Sequence, residues 1–122
     1  MRIGLIGLGR MGYNLALNLK DKNHEVVVYN RTLDKVNEAE QNGLIGAYSI
    51  EELTKKLPKP RIIWIMVPAG DAVDQMLKSL LPYVEKNDII IDGGNSHYKD
   101  TLRRFEELKE KGIRFVDVGT SG

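Results

Sequence analysis

The sequence predicts a doubly wound α/β fold, a mostly parallel sheet of strand order 3-2-1-4-5-6 with helices on its faces. Three observations carry this. Short apolar, β-branched runs alternate with stretches of helical periodicity along the whole chain, and such alternation implies right-handed crossovers between parallel strands. The first apolar run leads straight into Gly7-Leu8-Gly9-Arg10-Met11-Gly12, which opens the first helical pattern. Each glycine-rich or polar motif falls at the carboxyl end of an expected strand, where ligands bind in sheets of this kind.

The elements follow in order. Arg2 to Ile6 reads as a buried first strand. Met11, Leu15 and Leu19 fall at helical spacing, giving a first helix over about 11–20. Asp21-Lys22-Asn23 is a polar turn, and the β-branched Glu25 to Tyr29 is the second strand. Asp34 to Gln41 reads as a helix with Val36 and Ala39 inward and Gly43 as its stop. Gly46-Ala47-Tyr48 suggests a very short edge strand. Ser49-Ile50-Glu51-Glu52 has capping-box spacing, Leu53 and Leu57 continue the apolar face, and Pro58 and Pro60 close that helix. Ile62 to Val67 is continuously apolar, as suits a central strand covered on both faces. A helix over 71–81 carries Val73, Met76, Leu77 and Leu80, with Pro82 after it. Asp88 to Asp92 is the next strand, and Arg114 to Val118 is the last. Between them Thr101 to Lys111 forms a helix with Leu102, Phe105 and Leu108 on one side and Gly112 at its end. Repeats, linkers and low-complexity tracts are absent from the sequence.

Bulk properties bound the function. At 122 residues the chain reads as one domain that buries about two-thirds of its unfolded surface. Hydrophobic residues at 42%, charged residues at 29% and a net charge of +1 give no nucleic-acid footprint. With no cysteine, disulfides and thiolate metal sites are excluded, and no metal site is expected. The N-terminal apolar stretch is too short for a signal peptide, and no run nears the roughly 20 apolar residues of a membrane span. A cytoplasmic location is the default expectation.

The glycine motif has the order a pyrophosphate-binding turn requires. Gly7 permits the tight turn out of the strand, Gly9 lets a diphosphate approach the backbone, and Gly12 lets the helix pack close. The free N–H groups at the helix start, over Leu8, Arg10 and Met11, would face the anion. At the end of the second strand, Asn30-Arg31-Thr32 stands where an NAD enzyme places an acid for the ribose 2′-hydroxyl. Arg31 can pair with a 2′-phosphate and lie on the adenine face, while Asn30 and Thr32 donate hydrogen bonds. The pattern favours NADP over NAD.

Three further stretches narrow the reading: Val67-Pro68-Ala69-Gly70, Asp92-Gly93-Gly94-Asn95-Ser96 and Asp117-Val118-Gly119-Thr120-Ser121-Gly122. On its own residues the second stretch reads equally well as a strand-ending turn and helix cap or as a ligand loop. Together with the glycine loop and Asn30-Arg31-Thr32, these stretches resemble the N-terminal coenzyme (Rossmann) domain of 6-phosphogluconate dehydrogenase, in its shorter bacterial form and within the β-hydroxyacid dehydrogenase superfamily. The resemblance covers the whole chain. It implies oxidative decarboxylation of 6-phosphogluconate to ribulose 5-phosphate and carbon dioxide with NADP as hydride acceptor, a reaction of the pentose phosphate pathway and gluconate utilisation. By the resemblance, Gly7 to Gly12 hold the pyrophosphate and Asn30, Arg31 and Thr32 the 2′-phosphate ribose. Val67, Pro68 and Ala69 line the adenosine and nicotinamide side, Asn95 sits between coenzyme and sugar acid, and Ser121 and Gly122 begin the substrate loop. The family's acid–base lysine, its enediol-protonating glutamate and its all-helical substrate and dimerisation domain have no counterpart in these residues. The chain is therefore expected to be the N-terminal piece of a larger homo-oligomeric enzyme, dimer or tetramer, that binds coenzyme without turnover by itself.

Other residues read as structural. His24 is a surface residue of a turn, and His97 an exposed residue at a helix start. Trp64 and Met66 pack in a core strand, and Asp71 and Asp74 are acids of an exposed first helical turn. Two competing readings are a 3-hydroxyisobutyrate-type dehydrogenase and a non-catalytic dinucleotide-binding module. Against the first, those relatives carry a Ser-Thr pair where this chain has Gly94-Asn95, and a proline-valine where it has Gly119-Thr120.

Overall fold

The computed structural model describes residues 1–94 and 96–118. In chain order the elements are β1 (Arg2–Ile6), α1 (Arg10–Asp21), β2 (Glu25–Tyr29), α2 (Leu33–Gln41), β3 (Ile45–Gly46), α3 (Ile50–Lys55), β4 (Ile62–Ile65), α4 (Asp71–Leu80), β5 (Ile89–Asp92), α5 (Tyr98–Lys109) and β6 (Arg114–Asp117). The six strands form one sheet in the order β3-β2-β1-β4-β5-β6, and every pairing is parallel. The expected strand order is the observed one.

Period-2 alternation along the strands divides the interior into two cores. Leu5, Val26 and Val28 face one side, where Ala16 of α1 and Val36 and Ala39 of α2 close over them. Ile6, Val27, Ile63, Ile65 and Ile90 face the other, under Leu53 of α3, Val73, Leu77 and Leu80 of α4 and Leu108 of α5. The register brings Tyr29, Ile6, Ile65, Asp92 and Asp117 into one row across the sheet. The carboxyl ends of five strands therefore stop level with one another and feed one rim.

Several local expectations change. The central strand is not covered equally on both faces: Ile63 and Ile65 are buried, but Ile62, Trp64 and Met66 are only half-buried, because Trp64 and Met66 stand at the margin of the core that α1 and α2 close over β1 and β2. The short edge strand sits one residue earlier than Gly46-Ala47-Tyr48, since Ile45 and Gly46 pair with Val27 and Val28. The last helix begins at Tyr98, three residues before Thr101, because His97 caps it by accepting the Lys99 N–H on Nδ1. Within that helix Leu102 and Phe105 are exposed, and the buried residues are Arg104 and Leu108. In α1 the buried residues are Gly12 and Ala16, and Met11 is exposed. The N-cap holds, with Ser49 Oγ accepting the Glu52 N–H at 3.0 Å, but the returning bond reaches one residue further back than the cap, where Glu52 Oε1 accepts the Tyr48 N–H at 2.7 Å.

Candidate functional site

The turn between β1 and α1 is made by steric necessity. Gly7 has φ +103°, and a Cβ there would lie 2.4 Å from the Met66 carbonyl oxygen. A Cβ at Gly12 would lie 2.0 Å from the Gly7 carbonyl oxygen. Both positions demand glycine for packing. Gly9 differs: its φ of −68° suits any residue, and a Cβ there would meet nothing within 4 Å. Its missing side chain leaves open space above the backbone, as an approaching diphosphate requires.

Gly9 caps α1, and the first intrahelical bond runs from the Tyr13 N–H to the Gly9 carbonyl. The N–H groups of Arg10, Met11 and Gly12 precede that bond and lie at the positive end of the helix dipole. No acid occupies the first turn of α1, whereas the first turns of α2, α3, α4 and α5 all carry one. The Leu8 N–H is not among the free donors: it donates to Asn30 Oδ1 at 2.8 Å, and the Leu8 side chain is buried.

That bond changes the part Asn30 plays. Its Oδ1 holds the glycine loop and its Nδ2 donates to the Thr32 carbonyl at 3.0 Å, so the carboxamide braces the end of β2 against the β1–α1 turn. Arg31 and Thr32 beside it are exposed, and Thr32 is the cap residue of α2 without a side-chain capping bond.

Between the β1, β2 and β4 ends lies a cleft of about 490 Å³. Gly7, Gly9, Asn30, Arg31, Val67 and Pro68 line it. Ala69 is exposed and does not line it. The loops after Ile6, Tyr29 and Val67 thus converge. Gly93 and Gly94, described residues of the turn after Asp92, pack against the wall of this cleft without lining it: a Cβ at Gly93 would sit 2.2 Å from Met66 Sδ, and one at Gly94 3.0 Å from the Val67 carbonyl oxygen. Asn95, Gly119, Thr120, Ser121 and Gly122 lie outside the described residues.

Several lining residues escaped the sequence reading. Met66, taken as packing alone, lines the cleft while also leaning on a core. So do Ile50 and one face of α4: Ala72, Gln75, Met76 and Ser79. Those four stand at i, i+3, i+4 and i+7, so helical periodicity could have found them. On the other flank of the turn a smaller cleft of about 330 Å³ is lined by Arg10, Tyr13 and Lys35 among others.

Asp74 is not merely an acid of an exposed helical turn. Arg104 and then Arg103 bind its carboxylate and hold its pKa below the usual value. His97 is exposed at the start of α5, as expected, and His24 is half-buried. Among the described residues no group of three His, Asp or Glu side chains could hold a metal ion, and no helix is long and apolar enough to cross a membrane.

Comparison with known proteins agrees with this geometry. A family model described as the NAD binding domain of 6-phosphogluconate dehydrogenase matches residues 2–122. The decarboxylating 6-phosphogluconate dehydrogenase of Haemophilus influenzae is 56% identical over 98% of this chain and 26% of its own length. The NADP(+)-dependent decarboxylating enzyme of Bacillus subtilis is 51% identical over 99% of this chain and 27% of its own. The chain thus spans about a quarter of the length of these relatives. The structure of Plasmodium falciparum 6-phosphogluconate dehydrogenase, solved in its apo form, with NADP+ and with 6-phosphogluconate, matches with a TM-score of 0.91 at 40% identity, over 98% of this chain and 27% of that one. A 3-hydroxyisobutyrate dehydrogenase of Mycobacterium tuberculosis, 21% identical with a TM-score of 0.84 over 99% of this chain and 40% of that one, shares the fold. The chain belongs to the family of the NAD-binding domain of 6-phosphogluconate dehydrogenase.

Proposed function

We propose that residues 1–122 form a single coenzyme-binding domain of an NADP-dependent, decarboxylating 6-phosphogluconate dehydrogenase. The observation that carries this is the β1–α1 turn. It has open space at Gly9, undonated N–H groups at Arg10 to Gly12, no acid in the first helical turn and an exposed arginine at the neighbouring strand end. These residues fit a dinucleotide with a 2′-phosphate. When bound, NADP+ supplies the acceptor for the hydride leaving the sugar acid.

The chain's own residues bind and orient. The α1 N-terminus takes the pyrophosphate through backbone N–H groups and the helix dipole. Arg31 pairs with the 2′-phosphate and covers the adenine, with the Thr32 hydroxyl beside it. Asn30 acts one step back, fixing the turn through the Leu8 N–H. Val67, Pro68 and the α4 face shape the apolar wall of the cleft. Asn95 contacts both coenzyme and sugar acid, and Ser121 and Gly122 contact the sugar acid. None of these residues is assigned the proton-transferring roles of the lysine and glutamate that the family resemblance implies.

The cofactor test is a paired titration with NADP+ and NAD+. A charge-assisted hydrogen bond contributes about 1.5–3 kcal/mol, roughly ten- to a hundredfold in affinity. Arg31→Ala should weaken NADP+ by that factor and NAD+ far less, since NAD+ offers the guanidinium an adenine face but no 2′-phosphate. Equal losses for both nucleotides would refute the assignment.

A further inference from the structure

Outside the cleft, Arg104 stands out: a charged residue in the middle of α5 whose side chain is completely buried. Arginine is almost never enclosed without partners. Here the guanidinium divides its donors between the start of α4 and the β5–α5 turn. Nε donates to Asp74 Oδ1 at 2.9 Å, and Nη2 donates to Asp74 Oδ2 at 3.3 Å and to the Gly70 carbonyl at 3.1 Å. Nη1 donates to Ser96 Oγ at 3.2 Å and lies 4.0 Å from Asp92 Oδ2. Asp92, also fully buried, accepts the Ser96 hydroxyl and the Gly94 N–H.

The cluster therefore fixes both ends of what the cleft wall needs. Gly70 closes the β4–α4 loop that begins at Met66, while Gly94 and Ser96 flank position 95 in the β5–α5 turn. The fit of Gly93 and Gly94 against Met66 and Val67 leaves no room for the two loops to slide independently. Buried ion pairs are seldom kept for stability alone, because desolvation offsets much of their attraction. A planar fork of five donors is suited to holding several acceptors in one arrangement.

We propose that Arg104 is a positioning residue for the nicotinamide half of the coenzyme, locking the β4–α4 loop and the β5–α5 turn together so that this wall is formed before the ligand arrives. The proposal rests on the coenzyme reading above. In a doubly wound sheet the dinucleotide straddles the point where strand order reverses, between β1 and β4. Arg31 at the end of β2 marks the adenosine half; the β4–α4 loop borders both halves, and the β5–α5 turn beyond it serves the nicotinamide half. Arg104 is absent from the cleft lining; it acts through Gly70, Asp92 and Ser96.

The test compares NADP+ with adenosine 2′,5′-bisphosphate, which keeps the adenosine and 2′-phosphate but lacks the nicotinamide half. Arg104→Lys retains the charge but cannot reach Asp74, Gly70 and Ser96 together. It should weaken NADP+ about tenfold and the bisphosphate distinctly less, since the bisphosphate meets only the near end of the β4–α4 loop and misplacing a binding wall costs affinity only for what it touches. Ser96→Ala removes the Arg104 bond to the turn together with the Ser96 hydroxyl's bond to Asp92, leaves the Asp74 and Gly70 contacts in place and should show the same selective loss; if Arg104→Lys does not fold by circular dichroism, this variant decides. Arg103→Lys, altering the half-exposed neighbour that also binds Asp74, should leave both affinities unchanged. Parallel losses for the two ligands, or an unchanged NADP+ affinity in the folded variants, would overturn the assignment to Arg104 while sparing the coenzyme reading. A wild-type protein that binds neither ligand overturns both.

Discussion

Three glycines in one motif do three different jobs, and only space distinguishes them. Gly7 and Gly12 are enclosed by backbone, at 2.4 Å from Met66 and 2.0 Å from Gly7 respectively for a hypothetical Cβ, whereas Gly9 faces nothing. Gly12→Ala should therefore destabilise the fold by about 1–3 kcal/mol, the usual cost of overpacking. Gly9→Ala should leave stability within about 0.5 kcal/mol yet reduce NADP+ affinity, because its methyl group occupies the space above the helix start. Denaturant melts and a nucleotide titration on both variants separate the two effects. A destabilised Gly9→Ala would mean the turn needs that glycine for itself. Asn30 teaches the same lesson from the other side. Its position after β2 was legible, but its engagement with the Leu8 N–H 22 residues away was not, because a sequence does not show which backbone donors a side chain will meet.

Helices α4 and α5 are joined by a carboxylate that the sequence presents as ordinary. Arg104, then Arg103, hold the Asp74 carboxyl below its usual value near 3.8. A depressed folded-state pKa stabilises the protein above about pH 4 and ceases to do so as pH falls through the folded value. Asp74→Asn should accordingly lower stability at neutral pH and make the acid limb of a stability–pH curve shallower, while the limb above pH 6 keeps its shape. An acid limb unchanged in slope would show that this pair carries no pH dependence. Elements of this kind were legible where one local rule dominates. The glycine turn, the β-branched strands and the Ser49 N-cap are where the sequence puts them, because each is decided within four or five residues. The start of α5 was not, and of its expected inward side only Leu108 is buried. Leu102 and Phe105 carry the apolar spacing, yet Arg104 takes the interior because Asp74, 30 residues earlier, offers it a partner there. The cleft-lining side of α4 was missed for a related reason: Met76 serves core and cleft together.

Across the whole molecule, the two rims of the sheet divide binding from stability. The carboxyl rim carries the glycine turn, Arg31 and the cleft. The opposite rim carries a buried clasp: Asp88, fully enclosed, accepts the Arg61 N–H at 2.7 Å, the Arg61 Nη1 at 2.9 Å and the Glu85 N–H at 2.9 Å. This clasp ties the starts of β4 and β5 together, roughly 13 Å from the cleft by the length of a four-residue strand. Effects at that separation, with no shared partners, should add to within about 0.5 kcal/mol. Asp88→Asn removes the charge from hydrogen bonds normally stronger than neutral ones and should destabilise the protein by about 1–3 kcal/mol. NADP+ at a hundred times its dissociation constant stabilises the folded state by about 2.7 kcal/mol through mass action alone, and it should do so equally in the wild type and in Asp88→Asn. Thermal melts of both proteins, with and without nucleotide, give the two increments directly. Should the nucleotide increment shrink in the variant, the rims would be coupled through β4 and β5, and the strands between them would be transmitting strain rather than serving as a rigid platform.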